Sequence, residues 1–170
     1  IKQICEALQH MHENGIVHLD IKPENIIFET KASPNVKLVD FGLATKLDPD
    51  DVVKVSSANV EFAAPEIVEQ DSVGFATDMW AVGVLTYLIL SGLSPFGGVD
   101  DDQTANNIKQ CDLKFPSDGF NGISENAHDF IRKLLIKNKA NRMNVFEALD
   151  HPWLAEEDST FGLEGVEVAP

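Results

Sequence analysis

The sequence predicts a mainly α-helical domain with a small β-hairpin set into its first third. Three observations carry this expectation. Apolar residues recur at three-and-four spacing in the opening stretch. Two short β-prone runs flank a turn-rich pentapeptide. A long apolar stretch, interrupted by Thr86, Ser91 and Gly92, runs from Met79 to Leu93.

Each element follows from its residues. Ile1, Ile4, Cys5, Leu8 and Met11 mark one face of a helix over residues 1–14. Asn14-Gly15 ends it, because glycine accepts the left-handed conformation that helix termini often need. Residues 16–25, with Pro23 and several charges, read as a structured loop without regular structure. Ile26-Ile27-Phe28 and Val36-Lys37-Leu38-Val39, separated by Lys31-Ala32-Ser33-Pro34-Asn35, predict the hairpin. From Asp40 to Glu66 the pattern is irregular, with Pro49, Pro65 and the acidic run Asp48-Pro49-Asp50-Asp51; ordered loops of that length are usually functional. Thr77 or Asp78 is expected to cap the apolar helix, which reaches Ile89-Leu90 and is too short to span a bilayer. Asp100-Asp101-Asp102 reads as a helix N-terminus, since no alternating Ca²⁺-ligand spacing follows it. Ser124 and Glu125 open a helix through Leu134-Leu135, and a shorter one covers Val145 to Leu149 before His151-Pro152-Trp153. Residues 1–154 then form the domain, and 155–170 an acidic, Gly-containing flexible tail.

The composition narrows the partners. Of 170 residues, 44% are hydrophobic and 24% charged, which is ordinary for a globular chain. Lys+Arg 13 against Asp+Glu 28 leaves a net charge of −15. That argues against a nucleic-acid backbone or an anionic membrane as partner, and suits either a cationic partner or plain solubility. Cys5 and Cys111 show neither metal-ligand spacing nor a disulfide framework, which fits a reducing cytoplasm. The chain opens Ile1-Lys2-Gln3-Ile4, with no initiator Met, as expected of a piece of a longer protein.

The chemistry concentrates in one region. His18-Leu19-Asp20-Ile21-Lys22-Pro23-Glu24-Asn25 places a carboxylate, a cation and a carboxamide within six residues. Fifteen residues after Asn25, Asp40-Phe41-Gly42 brings a second carboxylate on the end of the hairpin. Asn25 and Asp40 are hard oxygen donors that suit Mg²⁺, an ion that keeps waters and takes further ligands from substrate phosphates. Asp20 remains to orient a hydroxyl and accept its proton, and Lys22 to offset charge on a transferring phosphoryl group. Ala64-Pro65-Glu66 and Asp78-Met79-Trp80-Ala81-Val82-Gly83 follow in order. Each piece alone is a weak signal, but their joint order is specific. His10 and His12, two apart on a helix, point to different faces and make a poor metal pair.

These motifs resemble the C-terminal lobe of a eukaryotic protein Ser/Thr kinase over roughly residues 1–154. His12-Glu13-Asn14, Val17-His18-Leu19-Asp20, Glu61-Phe62-Ala63-Ala64-Pro65-Glu66 and Leu90-Ser91-Gly92-Leu93-Ser94-Pro95-Phe96 are most similar to the giant muscle kinases of titin and twitchin type and to the related myosin light-chain kinases. The resemblance implies a helical platform with a small hairpin, one part of a two-lobe α+β fold whose N-lobe is absent here. It implies ATP and Mg²⁺ as cofactors, Asp20 as catalytic base, Lys22 as phosphate contact, and Asn25 and Asp40 as Mg²⁺ ligands. His18 would support the loop, Phe41 would join an apolar spine with Gly42 completing the motif, and Glu66 would pair with Arg142. Asp78 would accept backbone N–H groups, while Trp80 and Gly83 pack the central helix. Glu24 and Glu61 would meet basic residues flanking the target Ser or Thr of a protein substrate. The setting implied is cytoplasmic, with cytoskeletal or sarcomeric partners and neither nucleic acid nor membrane.

Three departures from the family pattern leave two functions open. Leu19 stands where many kinases place an Arg that pairs with a loop phosphate, so order in that loop is expected without phosphorylation of Ser56 or Ser57. Asn59 and Ala58 replace a Thr that bridges the catalytic Asp and Lys and a conformationally free Gly. No Gly-rich phosphate loop or strand lysine is present; Gly97-Gly98 lies in a loop between helices, so this piece alone should bind nucleotide poorly. Asp20, Lys22, Asn25 and Asp40 favour a Ser/Thr kinase. Ala58 and Asn59 favour a pseudokinase acting as a scaffold or mechanosensitive interaction module.

Overall fold

Residues 1–48, 52–55 and 59–155 are described by the computed structural model of the chain. Pro49-Asp50-Asp51, Ser56-Ser57-Ala58 and the expected tail from Glu156 onward lie outside the described residues. Helix α1 (Lys2–Glu13) buries Ile4, Cys5, Leu8 and Met11, the stripe that its spacing predicts. The buried face continues to His12, four residues after Leu8. Gly15 then adopts φ +75°, which glycine does without steric cost.

Where an irregular loop was expected, the chain makes β1 (Ile16–Val17). It pairs antiparallel with β4 (Thr45–Lys46), Ile16 opposite Lys46 and Val17 opposite Thr45. Two-residue strands are too short to carry a period, so only the distant partner reveals them. Between them, Pro23–Asn25 forms a 3-10 turn, and β2 (Ile26–Phe28) pairs with β3 (Val36–Leu38) as the expected hairpin, Ile27 opposite Lys37. The stretch from Asp40 to Glu66 is likewise less irregular than its sequence suggests. Besides β4 it holds a 3-10 turn at Val60–Phe62 and the start of α2 (Pro65–Val68).

Helix α3 (Phe75–Ser91) is the axis of the fold, with every residue from Thr77 to Tyr87 buried. A stretch enclosed on all sides is mostly apolar on all sides, and its polar members Thr77, Asp78 and Thr86 are each hydrogen-bonded. It begins earlier than expected, with Gly74 as its cap. Thr77 sits one turn in, its Oγ1 accepting the Gly74 N–H at 3.0 Å, and Asp78 caps nothing, because its carboxylate serves another loop. On this axis pack α5 (Ser117–Phe120) and α6 (Glu125–Leu134), while α4 (Asp101–Gln110) lies against α2, α7 (Val145–Leu149) against α1, and α8 (Pro152–Ala155) against α6 and α7. Asp100 Oδ1 accepts the Gln103 N–H at 2.8 Å, so the acidic triplet does open a helix. Ser124 caps α6 through the Ala127 N–H. Helix α5 has no periodic signal of its own; Phe120, 4.7 Å from the Tyr87 ring, holds it in place. Gly83 lets α3 and α6 meet, since a Cβ there would lie 2.8 Å from Leu134 Cβ.

A buried ion pair ties these elements together. Arg142 Nη1 and Nη2 donate to Glu66 Oε1 and Oε2 at 2.8 and 3.1 Å, and Thr77 Oγ1 donates to Oε1 at 2.9 Å. The guanidinium also lies over Trp80, with Cζ 5.1 Å from the ring centroid, and Trp80 stacks on Phe96. Burial alone would push the Glu66 carboxyl up. The hydrogen bond and charge of Arg142, with help from backbone and Thr77 donors, outweigh it and hold the group below its ordinary 4.5. Arg142→Leu strands a buried carboxylate and should cost on the order of 3–5 kcal/mol, read as a lower denaturant midpoint. A carboxylate held low in the fold contributes stability above its unfolded pKa and loses it as pH falls through the folded value. Wild-type stability should therefore decline as pH drops below 4.5, and Glu66→Gln should flatten that acid limb while lowering stability at neutral pH.

Candidate functional site

The segment between β1 and β2 folds back on itself, and its polar side chains bond to one another. Asp20 Oδ2 accepts Lys22 Nζ and Asn25 Nδ2, each at 2.8 Å. The same Asn25 nitrogen donates to the Asp20 carbonyl at 2.8 Å. Pro23 opens the 3-10 turn that swings Asn25 back beneath Asp20. Lys22 is held above its ordinary 10.5, chiefly by its hydrogen bond to Asp20 and, against some desolvation, by the charges of Asp20, Glu24 and Asp40. Its charge therefore persists throughout the neutral range.

Asp40 arrives from the far side of the hairpin. The Val39 N–H donates to the Asn25 carbonyl at 2.9 Å and ties the end of β3 to the turn. Asp40 itself takes φ +60°, and its Oδ1 accepts the Gly42 N–H at 3.2 Å. A Cβ on Gly42 would lie 3.1 Å from that oxygen, so the turn suits glycine. Asp40, Phe41 and Glu24 are exposed, whereas Glu61 is half-buried. Phe41 is 55% exposed, with its ring 5.2 Å from His18.

Beneath this layer lies a buried carboxylate. Asp78 Oδ1 accepts the Leu19 N–H at 2.8 Å, and Oδ2 accepts the His18 N–H at 2.9 Å. His12 Nε2 lies 2.9 Å from the same Oδ2 and must be the donor, because a carboxylate only accepts. Leu19 sits at φ +64°, which disfavours a branched side chain, so Asp78 holds a strained backbone immediately before Asp20. The Asp20 N–H in turn donates to His18 Nδ1 at 3.3 Å, which leaves the imidazole proton on the buried Nε2. Sequence reasoning gave His12 no role here. Its position at i+4 from Leu8, on the buried stripe of α1, was the signal available.

Asn59 Oδ1 accepts the Glu61 N–H at 3.1 Å and opens the 3-10 turn that follows. With Asp20, Phe62, Thr77 and Asp78 it lines a cavity of about 20 Å³, room for about one water. A larger cavity of about 570 Å³, walled by His12, Phe75, Met79 and Phe146, holds Arg142 but none of Asp20, Lys22, Asn25 or Asp40. Thus Asp20, Lys22 and Asn25 touch, Asp40 lies within electrostatic reach of Lys22, and Glu66 with Arg142 forms a separate buried pair. Asn25 donates its amide nitrogen to Asp20, and Asp40 has an oxygen beyond the one that meets Gly42. Among the described residues no group of three or more His, Cys, Asp and Glu side chains could hold a metal ion. Asn25 and Asp40 are oxygen donors of the kind a hard cation takes together with phosphate oxygens and water.

Comparison with known proteins places this arrangement. Residues 1–154 match the family described as protein kinase domain. Myosin light chain kinase family member 4 of Homo sapiens is 50% identical over 156 residues, covering 92% of this chain and 40% of its own length. The titin homolog of Caenorhabditis elegans is 50% identical over 152 residues, 89% of this chain but 1% of that protein. Among solved structures, the twitchin kinase region from C. elegans superposes with a TM-score of 0.89 at 55% identity, over 93% of this chain and 28% of that one. Titin kinase with its flanking domains gives 0.88 at 42% identity, over 92% and 28%. This chain spans well under half the length of these relatives.

Asp78→Ala would remove the acceptor of three donors, two of them buried and the Leu19 N–H part-buried. Each orphaned donor costs about 1–3 kcal/mol, so the loss should total about 3 kcal/mol or more by urea denaturation. Hydrogen exchange at the His18 and Leu19 amides should accelerate more than at amides of α6.

Proposed function

The chain belongs to the protein kinase family, and on that footing we propose that it is the C-terminal lobe of a Ser/Thr kinase domain, which transfers the γ-phosphoryl group of ATP to a protein hydroxyl. Residues 1–154 form the lobe, and 155–170 an acidic segment of the sequence. The observation that carries this reading is the mutual contact of Asp20, Lys22 and Asn25 on one short turn. A proton acceptor, a fixed cation and a metal-ligating oxygen thereby share one place.

The geometry supports the roles that family membership suggests. Asp20 uses Oδ2 for Lys22 and Asn25, which orients the carboxylate and leaves Oδ1 to take the proton of an incoming hydroxyl. Lys22, charged across the neutral range, stabilises negative charge on the transferring group. Asn25 and Asp40 would hold Mg²⁺. Mg·ATP, when bound, supplies the electrophilic phosphorus and neutralises the phosphate charge. His18, Asp78 and His12 position the turn from below. Phe41 at 55% exposure leaves an apolar ring beside His18, which supports a second lobe closing over the site. Exposed Glu24, half-buried Glu61 and the net −15 favour a substrate with basic residues near its target Ser or Thr. The muscle relatives support a cytoplasmic, sarcomeric or cytoskeletal setting, and among the described residues no helix is long and apolar enough to cross a membrane.

One observation favours a pseudokinase scaffold instead. Asn59, beside Asp20, has its oxygen engaged by the Glu61 N–H, where the family's Thr would bridge Asp and Lys. Radiolabel transfer from ATP to a basic Ser/Thr peptide by the full-length protein decides between the two. The kinase reading expects Asp20→Ala and Asp40→Ala each to lower turnover by about 100-fold or more, and Asn59→Thr with Ala58→Gly to raise it. Wild-type transfer no greater than that of Asp20→Ala would establish the scaffold. Titration calorimetry of the 170-residue chain alone should show weak or no Mg·ATP binding.

A further inference from the structure

Between the first turn of α3 and the start of α7 lies the cavity of about 570 Å³, a volume within the range of small-molecule sites, and the proposed phosphoryl transfer makes no use of it. Its apolar walls include Phe75, Met79, Val145 and Phe146. Two of these are aromatic rings left open to water, Phe75 at 38% and Phe146 at 47% exposure. A flat occupant would cover that surface, and rings gain from such contact beyond the area they bury. Buried His12 adds a third ring to the walls, its centroid 4.9 Å from that of Phe75.

The charge of the walls is one-sided. In a chain of net charge −15, none of the described residues lining this cavity is Asp or Glu. Its cations are Lys139 and Arg142, whose carboxylate partners, Asp71 and Glu66, are not among the walls. Arg142 is buried with its donors committed, so it contributes field and no contact. Lys139 is the contact. The Ser72 carbonyl and hydroxyl hold its Nζ at 2.6 and 2.9 Å. Its pair with Asp71, 3.1 Å long and exposed on both sides, is of the kind that solvent screens, so the ammonium can exchange that partner for a ligand carboxylate. Asn144 supplies a further donor, because its Oδ1 is committed to the Phe146 and Glu147 amides and its Nδ2 is not.

We propose that this cavity binds a small aromatic carboxylate, its ring against Phe75 and Phe146 and its carboxylate on Lys139, and that the occupant steadies the loop bearing Asp20 through His12. The path is short: His12 donates to Asp78, and Asp78 accepts the His18 and Leu19 N–H groups immediately before Asp20. An occupant packed on His12 and Met79 restrains the imidazole and the helix position next to Asp78. Neither the binding nor the restraint rests on phosphate transfer, so both stand if the chain is a scaffold.

Equilibrium dialysis of the full chain against naphthoate, naphthylmethanol and naphthylmethylamine tests the site, since the three share a ring system and differ in charge. Naphthoate should bind with a dissociation constant below about 1 mM, about 5-fold tighter than the neutral alcohol, with the cation weakest. Lys139→Gln should abolish the advantage of naphthoate and leave the alcohol unchanged. Phe146→Ser should weaken both, by about 5-fold. Saturating naphthoate should slow hydrogen exchange at the His18 and Leu19 amides by about 3-fold or more and leave the amides of α6 unchanged. No binding of naphthoate, equal binding of the three probes, or binding that neither substitution alters would overturn the site. Binding with no change at His18 and Leu19 would overturn the link to the loop. The probe series and the exchange measurement use the unmutated chain, so they decide the matter even where a variant folds poorly.

Discussion

The Arg142 guanidinium is the constraint on which the rest of this structure depends, because it lies buried with all of its donors committed. Nε donates to the Ile136 carbonyl, Nη1 to Glu66 and the Ala76 carbonyl, and Nη2 to Glu66 and the Lys137 carbonyl. Those acceptors come from α2, the first turn of α3 and the loop after α6. A buried ion pair is no sure source of net stability, since desolvation offsets much of its attraction. Its effect here is to exclude alternatives: any other packing of these three elements strands a charge. Trp80, under the guanidinium and against Phe96, carries the restraint into the apolar core.

The second restraint is local and serves the site. Leu19 and Asp40, the neighbours of the reactive turn in sequence and in space, both hold left-handed backbone conformations without being glycine. Each such residue stores about 1–3 kcal/mol, and it persists only where surrounding bonds over-determine it. For Leu19 the bonds come from Asp78, itself oriented by His12; for Asp40 they come from its own contact with the Gly42 N–H and the tether from Val39 to Asn25. Rigid support from α1 and α3 thus reaches a turn that would otherwise relax, and Asp20 inherits its orientation from that support. The apolar cluster around Val73 adds a second line of support, reaching the same turn through Leu19.

Much of this was legible residue by residue. The stripe of α1, the hairpin, the buried middle of α3 and the caps of α4 and α6 follow from spacing and capping chemistry. The reactive turn was legible as a cluster of residue types within six positions, and family likeness supplied roles that spacing alone does not. Strands β1 and β4 were not legible, since two residues carry no period, and neither was α5, whose Phe120 is held by Tyr87 and Phe115. The start of α3 was misplaced because Thr77 and Asp78 are good capping residues by type, but one serves the first turn and Glu66 while the other serves a distant loop.

Local order and chemical inventory were therefore determined by the sequence: which segments coil, which face they hide, and which carboxylates, cations and amides stand near one another along the chain. Those properties depend on neighbours within about one or two helical turns, so a linear reading reaches them. Tertiary structure alone decided that Asp78 would hold Leu19, that His12 would hold Asp78, that Arg142 would meet Glu66, and that Leu19 and valines 53 and 55 would pack on one small cluster of Ala63, Ile67 and Val73. These contacts join residues far apart in the chain. Each is selected by the need to leave no buried donor, acceptor or charge without a partner, a condition that exists only once the chain has folded.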